Sequence, residues 1–415
     1  EGDVVDVARE EVVVEALDGR AADLERPDEP PRLGVLLEDD DGEPRAEETV
    51  GGDEAGEAPA DDGDAARGGG RGRAGSVHGA IVGPLVPPEQ AGGTRATPVL
   101  PSPGFVSAAS AILLAVLLAG LWAAGTAVLL GVGRNDPDAD GVRDGALALG
   151  PVVGLLLLAF PGWLATAAGR VPMPAVLLAG GLAAVAALAL RGRELASFRE
   201  ARSLAPAALP LFLFAAFLWL RLGWPDARLT EKPMDLAVLS GLLATPRLPF
   251  GDPWFAGAPF PYYHFGSYVL ALPFRLASVP PGYAYNLAAA LVAALAGSAA
   301  FGVVRWRGGG RGPALAAALL LAFAGTFDGA RQLLGAGSLG AVDVWASSRR
   351  VADAITEWPL FTLWLGDLHP HAVAMPLLLA LAGAAGRFAG AAGLVLDAAL
   401  LAALVSANPW DLPAA

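Results

Sequence analysis

The hydropathy of the chain changes abruptly near residue 105. From there to residue 407 the sequence is a succession of runs with almost no charge, separated by short polar or aromatic segments. A helix that spans a bilayer needs about 20 apolar residues, and its backbone must satisfy its own hydrogen bonds in lipid. The pattern therefore predicts an all-α polytopic membrane protein with about eight transmembrane helices. The runs are residues 105–133, 145–169, 171–190, 203–220, 276–304, 312–327, 371–386 and 388–407.

The segment before residue 105 has the opposite character. Residues 1–66 contain 24 acidic and 5 basic residues, and residues 46–104 are mostly Gly, Ala, Asp, Pro and Arg. Such a segment buries too little apolar surface to offset the entropy lost on ordering, so we expect residues 1–104 to be acidic and largely disordered. Residues 105–415 are then the membrane domain. The arginines of "RGGGRGR" have no aromatic residues between them, so we expect no nucleic-acid partner.

The overall composition agrees with a membrane protein and excludes several chemistries. Charged residues make up 17% of the chain, against about 25% in soluble proteins. The chain has no cysteine, which excludes disulfides, thiolate nucleophiles and cysteine-ligated metals. It also lacks a P-loop, a nucleophile elbow and an H-E-x-x-H motif, so ATP hydrolysis and serine or zinc proteolysis have no support. Because the chain begins with Glu1 rather than Met and ends just after "NPWDLPAA", we expect it to be a fragment.

The arginines between the runs predict the orientation of the helices. Residues 191–202 and 305–311 are arginine-rich turns, and such turns lie on the cytoplasmic side. A further span over residues 263–279 would place the second turn on the opposite side. That stretch contains Pro273 and Arg275, so we predict a juxtamembrane helix on the outer surface instead.

With this topology, every unusual polar motif is predicted on the non-cytoplasmic face of a cell membrane. The same loops contain all five tyrosines, three of the four histidines and the single lysine, Lys232. Tyrosine and histidine also collect at membrane interfaces for structural reasons, but that tendency does not explain clustered acids. The motifs are "EKPMD", "GDPWFAG", "PYYHFG", "ITEWP", "GDLHPH" and "NPWD".

The first acidic motif is Glu231-Lys232-Pro233-Met234-Asp235. Proline in a first turn predicts a helix that begins near Met234, with Glu231 and Lys232 in the preceding loop. A carboxylate in that first turn can act as a general base or a metal ligand, and a lysine can pair with a phosphate. The structural alternative is a capped helix with a local ion pair.

The second motif brings Asp367, His369 and His371 within five residues. A carboxylate with imidazoles suits a divalent cation or a diphosphate, so Asp367 and His369 are candidate metal ligands, although the spacing matches no standard zinc motif. Asp397 lies inside the last apolar run. An acid there is either functional or marks a helix boundary that lies elsewhere.

Taken in order, these motifs resemble a known family. The stretch from "TEKPMDLAVLSG" through "PYYHFGSYVLALPFRL", followed by "AYNLA", "ITEWPLFTLWLGDLHPH" and "NPWDLP", resembles the Chlor_Arch_YYY membrane proteins, domain of unknown function 2298. The resemblance covers about residues 140–413. The triple tyrosine of the family stands here as Tyr262-Tyr263-His264, and its Asn-Thr-Trp-Asp as Asn408-Pro409-Trp410-Asp411. Family membership implies a multi-spanning membrane protein similar in architecture to GT-C type glycosyltransferases, which use polyprenyl-phosphate-linked sugars.

The leading hypothesis is therefore a membrane glycosyltransferase that takes a sugar from a polyprenyl-phosphate-linked donor at the outer face, with a divalent cation as a possible cofactor. The alternatives are a transporter or flippase of a lipid-linked or polar solute, and a non-catalytic protein of envelope assembly. Asp235 is the candidate catalytic carboxylate, and Glu231 assists it. The candidate substrate-binding residues are Lys232, Asp252, Trp254, Tyr262, Tyr263, His264, His369, His371 and Asp411.

Overall fold

The computed structural model describes residues 106–198, 201–228, 230–255, 257–336, 342–351 and 358–414. The predicted disordered segment, residues 1–104, and most of the "ITEWP" motif lie outside this part of the chain. The described helices are α1 (Ala108–Val132), α2 (Ala139–Ala165), α3 (Met173–Arg191), α4 (Ala208–Gly223), α5 (Lys232–Ala244), α6 (Phe265–Leu276), α7 (Pro281–Trp306), α8 (Arg311–Phe323), α9 (Phe327–Ala336), α10 (Val344–Ser347), α11 (Pro359–Leu365), α12 (Pro370–Ala384) and α13 (Ala391–Ala407).

The described part of the chain contains only a minimal sheet. Strand β1 (Val171–Pro172) pairs antiparallel with β2 (Arg247–Leu248), with Val171 opposite Leu248. This ribbon connects the turn after α2 to the turn after α5. The architecture is therefore the all-α membrane fold that the hydropathy predicts.

The predicted spans differ in length. Among the described residues, five helices, three of them extended by 3₁₀ turns, are long and apolar enough to cross a membrane: α1, α2, α3, α4 and α7. Helices α8 and α9 form a pair bent by 72°, which gives a sixth span if the two are one crossing. Helices α12 and α13, predicted as full spans, have only 15 and 17 residues, less than the roughly 20 that a straight crossing needs.

Helix α7 is the centre of the bundle. It packs against α2, α4, α8 and α12, and half of its buried residues are alanine, accompanied by Gly297, Ser298 and Gly302. Small side chains let helix backbones approach closely. In lipid there is little hydrophobic driving force between helices, so this close packing is what holds them together. The Ser298 hydroxyl donates a hydrogen bond of 2.7 Å to the carbonyl of Ala148 in α2.

Glycines permit an even closer approach between α1 and α2. A Cβ atom on Gly154 would lie 1.9 Å from the carbonyl oxygen of Leu121, and one on Gly125 would lie 2.0 Å from that of Gly150. Gly150 and Gly154 form a G-x-x-x-G pair, a pattern typical of tight helix contacts in membranes. Only glycine can occupy these positions without separating the two helices.

One end of the bundle is held together by arginine. Buried Asp144 of α2 accepts hydrogen bonds of 2.8 Å and 2.7 Å from the Nε atoms of Arg305 and Arg311. Arg387, in the turn between α12 and α13, pairs with Asp136 at 3.0 Å. The α1–α2, α7–α8 and α12–α13 turns therefore meet at one end of the bundle, which we call the arginine end.

Helix α6 differs from the surface helix predicted for residues 263–279. It has 12 residues, too few to span a bilayer, but nine of them are buried by contacts with neighbours that include α2, α5, α12 and α13. The Tyr268 hydroxyl donates to the carbonyl of Ala159 at 3.0 Å. Arg275 donates to the carbonyls of Leu242 and Leu243 at the end of α5, which lets a charged residue lie inside the protein.

Candidate functional site

The first acidic motif lies at the start of α5, at the end of the bundle opposite the arginine end. The helix begins at Lys232, two residues earlier than predicted, and Glu231 is its N-cap residue. Lys232 and Asp235 are buried, with 3% and 5% of their surface exposed, whereas the Glu231 side chain is 59% exposed. The helix therefore turns one carboxyl group inward and leaves the other at the surface.

The second motif lies in the short connection between α11 and α12. Gly366 ends α11 in the left-handed conformation, with φ of 71°, and His369 is the N-cap residue of α12. Glycine adopts the left-handed backbone conformation readily because it has no Cβ. The reversal of the chain at Gly366 carries Asp367 and His369 toward the start of α5.

The two motifs meet in space. Asp235, Asp367 and His369 each offer one ligand atom, and these atoms lie within 4.8 Å of one another. His369 Nδ1 is 2.6 Å from Glu231 Oε2, although the contact is not aligned as a hydrogen bond. The His371 ring lies 5.1 Å from the His369 ring. We call Glu231, Asp235, Asp367 and His369 the acidic cluster.

Burial and charge shift the protonation of these groups. Burial, a hydrogen bond to Asp367 and the charges of Asp367 and Glu231 raise the pKa of Asp235 to about 9. At neutral pH Asp235 is therefore a carboxylic acid that donates its proton toward Asp367. Burial, together with the nearby charge of Arg221, lowers the pKa of Lys232, while the charge of Asp367 opposes that shift. A carboxyl pair that shares a proton and a buried amine thus lie side by side.

Arg221 holds the second motif in place. This residue is in the last turn of α4 and only 3% exposed. It donates to the carbonyls of Leu365 at 3.0 Å and Asp226 at 3.2 Å, and to Asn286 Oδ1 at 2.9 Å. It therefore connects α4, α7 and the connection that carries Asp367. The sequence hypothesis did not include Arg221, although an arginine at the end of an apolar run is a functional candidate.

Tyr285 is a second residue that the sequence hypothesis left out of the site. It is fully buried and lies close enough to Asp235 and Asp367 to be influenced by their charges, beside the backbone amide of Leu368. Its hydroxyl makes no aligned hydrogen bond in the described structure, and neither does Asp235 Oδ2. Buried polar atoms rarely lack partners. Two of them together mark this cluster as a candidate ligand site.

The predicted aromatic residues divide into two groups. The rings of Tyr262 and Tyr263 are stacked at 4.0 Å. Burial, the hydrogen bond with Tyr263, and the charges of Glu231 and Asp235 raise the pKa of Tyr262. Because these charges act over short distances, this tyrosine lies beside the acidic cluster. The His264 ring instead contacts Trp163 edge-on at 5.4 Å, and burial lowers its pKa.

Three further predicted residues have local contacts. Asp252 Oδ1 accepts from the backbone amides of Trp254 and Phe255 at 2.8 Å and 3.0 Å, so that oxygen organises its own loop. The Trp254 ring is 57% exposed. Asp411 lies half-buried in a 3₁₀ helix at residues 409–414 and is not among the described residues that form the acidic cluster. Asp397 accepts from the Gly386 amide at 3.2 Å, so it caps the α12–α13 turn at the arginine end.

The donor set of the cluster suits a divalent cation. Carboxylate oxygens and an imidazole are the ligands that Mn²⁺ and Zn²⁺ accept in proteins, and buried Asp235 Oδ2 makes no aligned hydrogen bond. The predicted ligands Asp367 and His369 thus lie together, and the structure adds Asp235 to them. A bound cation would take the place of the proton that Asp235 shares with Asp367.

Comparison with known proteins identifies the family. Residues 157–415 match the family described as "Uncharacterized membrane protein (DUF2298)". Comparisons with curated proteins and with solved structures give no match. The family match covers more than half of the chain and includes both acidic motifs. The chain therefore belongs to this family of uncharacterized membrane proteins.

Proposed function

We propose that the protein is a membrane glycosyltransferase that transfers a sugar from a polyprenyl-phosphate-linked donor to an acceptor hydroxyl at the acidic cluster. One observation carries the proposal. Two motifs 132 positions apart in the sequence, counted from Asp235 to Asp367, place a carboxyl pair, a histidine and a buried lysine together at one end of the bundle. Acid–base groups and cations are what this reaction requires of a protein.

The carboxyl pair supplies the base. When the acceptor oxygen attacks the anomeric carbon, the bond from that carbon to the phosphate oxygen breaks and the acceptor proton must leave. Burial raises the pKa of Asp235, so we assign the role of base to the neighbouring carboxylate, Asp367. Glu231 lies next to His369 at the surface, where it can pass the proton to water.

The leaving phosphate gains negative charge that fixed cations must stabilise. Lys232 is the first residue of α5, and His369 and His371 are at the start of α12. The N-termini of both helices therefore point toward the cluster, and helix N-termini favour anions. A lysine provides a compact charge on a flexible stem, which suits a single contact with phosphate.

The rings near the cluster suit a sugar. Tyr262 and Tyr263 are stacked and half-buried, and Trp254 is exposed on the neighbouring loop. Aromatic faces bury apolar ring surfaces while their polar atoms remain available for hydrogen bonds. These residues are proposed to bind the transferred sugar, while the lipid tail of the donor stays in the bilayer.

The position of the charges favours an enzyme over a transporter. Transporters place their substrate groups near the membrane midplane, on interrupted helices. Here the acidic cluster lies at helix ends, beside loops, on the side opposite the arginine end. By the arginine rule that side is the non-cytoplasmic one.

The test is sugar transfer by the full chain in proteoliposomes, with radiolabelled polyprenyl-phosphate sugars. Asp235→Asn and Asp367→Asn should each lower turnover by about 10²–10⁴-fold, the usual contribution of positioned acid–base groups. Lys232→Ala should mainly raise the KM for the donor. The control is Asp140→Asn, which changes an exposed carboxylate at the arginine end and should leave turnover unchanged.

Two results would contradict the proposal. A wild-type protein that transfers no sugar from any lipid-linked donor would favour the transporter hypothesis, which uptake of the same donors into the vesicles would then test. Full activity in both asparagine variants would show that the carboxyl pair is not the acid–base group. Removal of divalent ions with a chelator, followed by addition of Mn²⁺, will show whether the cluster works with a cation or with the shared proton.

A further inference from the structure

A long apolar groove extends from Arg191 at the arginine end to Phe160 and Pro161 of α2. It lies among α1, α2, α3 and α13 and has a volume of about 510 Å³, within the range of small-molecule sites. Its lining is apolar except at one position. Val153, Phe160, Leu396 and Leu400 represent the apolar part, and Arg191 is the exception.

Arg191 is held in a specific way. It is the last residue of α3, and its side chain crosses α1 at Gly131, where an added Cβ would lie 3.0 Å from Arg191 Cδ and 3.1 Å from its Nε. Within the described part of the chain the guanidinium has no hydrogen bond or ion pair. Two other arginines have ion-pair partners: Arg193 pairs with Glu194, and Arg387 pairs with Asp136.

The dimensions of the groove fit one leaflet of a bilayer. Along α13 it extends from Ala391 to Leu400, about 13 Å at the usual helical rise. Half of a bilayer's hydrocarbon core is about 15 Å. Arg191 is the last residue of α3, whose 19 residues are close to the length of one bilayer crossing, so its side chain is near the depth of the lipid headgroups.

We propose that this groove binds an anionic phospholipid, with an acyl chain along α2 and α13 and the headgroup phosphate on Arg191. A guanidinium without a partner beside an apolar wall favours an anion that brings its own apolar chain. Basic pockets between transmembrane helices on the cytoplasmic side bind acidic lipids for this reason. Arg191 and the acidic cluster lie at opposite ends of the bundle, so the phosphate site is separate from the site of the proposed transfer reaction.

The experiment measures lipid retention by the full chain with native mass spectrometry. The probes are dioleoylphosphatidylglycerol and dioleoylphosphatidylcholine, which have the same chains and different charge. We expect the wild type to retain the anionic lipid preferentially, and Arg191→Gln to weaken that binding about fivefold, since one basic group near a lipid surface contributes about 1 kcal/mol. Arg193→Gln removes the same charge two residues away and should bind like the wild type.

A second variant tests the groove without touching the charge. Ala392→Phe places a ring in the groove and should reduce retention of both lipids while the protein stays monodisperse. Equal retention of the two lipids by the wild type, or wild-type binding by Arg191→Gln, would overturn the proposal. Two further results would also overturn it. Stronger competition by polyprenyl phosphate than by the phospholipid would assign the groove another occupant. Unchanged lipid retention by Ala392→Phe would show that the lipid binds elsewhere.

Discussion

Replacing Gly154 with alanine should destabilise the protein because the new methyl group meets backbone rather than a side chain. The Cβ atom would lie 1.9 Å from the carbonyl oxygen of Leu121 and 2.5 Å from its carbonyl carbon. No rotamer change can relieve that contact. Helices α1 and α2 would have to separate by more than 1 Å, about the amount needed to restore an ordinary contact.

The expected cost follows from this geometry. Extra atoms in a packed core typically cost about 1–3 kcal/mol, and more where the neighbour cannot move. The control is Gly120→Ala in α1, where nothing lies within 4 Å of the added Cβ. There the better helix propensity of alanine should contribute up to about 1 kcal/mol of stability. The two variants should therefore differ by about 2–4 kcal/mol.

The assay is the apparent melting temperature of the purified protein in detergent. At about 2–4 °C per kcal/mol for chains of this size, Gly154→Ala should melt at least several degrees below Gly120→Ala. If Gly154→Ala melts with the control or above the wild type, the close approach of α1 and α2 is wrong.

Three further predictions concern charge and topology. Asp144→Asn should cost about 3 kcal/mol, the lower end for a buried pair, because it leaves buried Arg305 and half-exposed Arg311 without their carboxylate; the melting temperature should fall, and an unchanged value would contradict the buried network. Arg221→Gln should lower turnover in the sugar-transfer assay, since Arg221 positions the connection that carries Asp367, and Arg221→Lys should keep part of the turnover. Unchanged turnover in Arg221→Gln would show that this connection does not depend on Arg221. Single cysteines introduced at exposed Pro259 and Gly310 should differ in their labelling by an impermeant maleimide in intact cells, with labelling at 259 only. Labelling at 310 would contradict the predicted orientation.

The membrane class could be predicted from the sequence because hydropathy is a local property. Five of the eight runs are helices long enough to span, since about 20 apolar residues in succession have no other stable state in lipid. The cytoplasmic placement of the arginine-rich turns stays a prediction. The lengths of α12 and α13 could not be predicted, because the turn between them contains Arg387, which pairs with Asp136 on a distant segment.

The candidate site shows the same division. The sequence identified Asp235, Asp367 and His369 as chemically unusual, since acids and histidines beside apolar runs are rare. It could not bring them together, because that depends on how α5 and α12 pack around α7. It also could not give Asp235 its proton, which results from burial and from the neighbouring Asp367.

The apolar helices and the candidate site residues could be predicted from the sequence, because both predictions depend on residue type and on local order along the chain. The burial of α6, and the position of Arg221 and Tyr285 beside the acidic cluster, emerge only from the tertiary structure. The physical reason is that burial and hydrogen-bond partners come from contacts between segments far apart in sequence, which no local pattern contains.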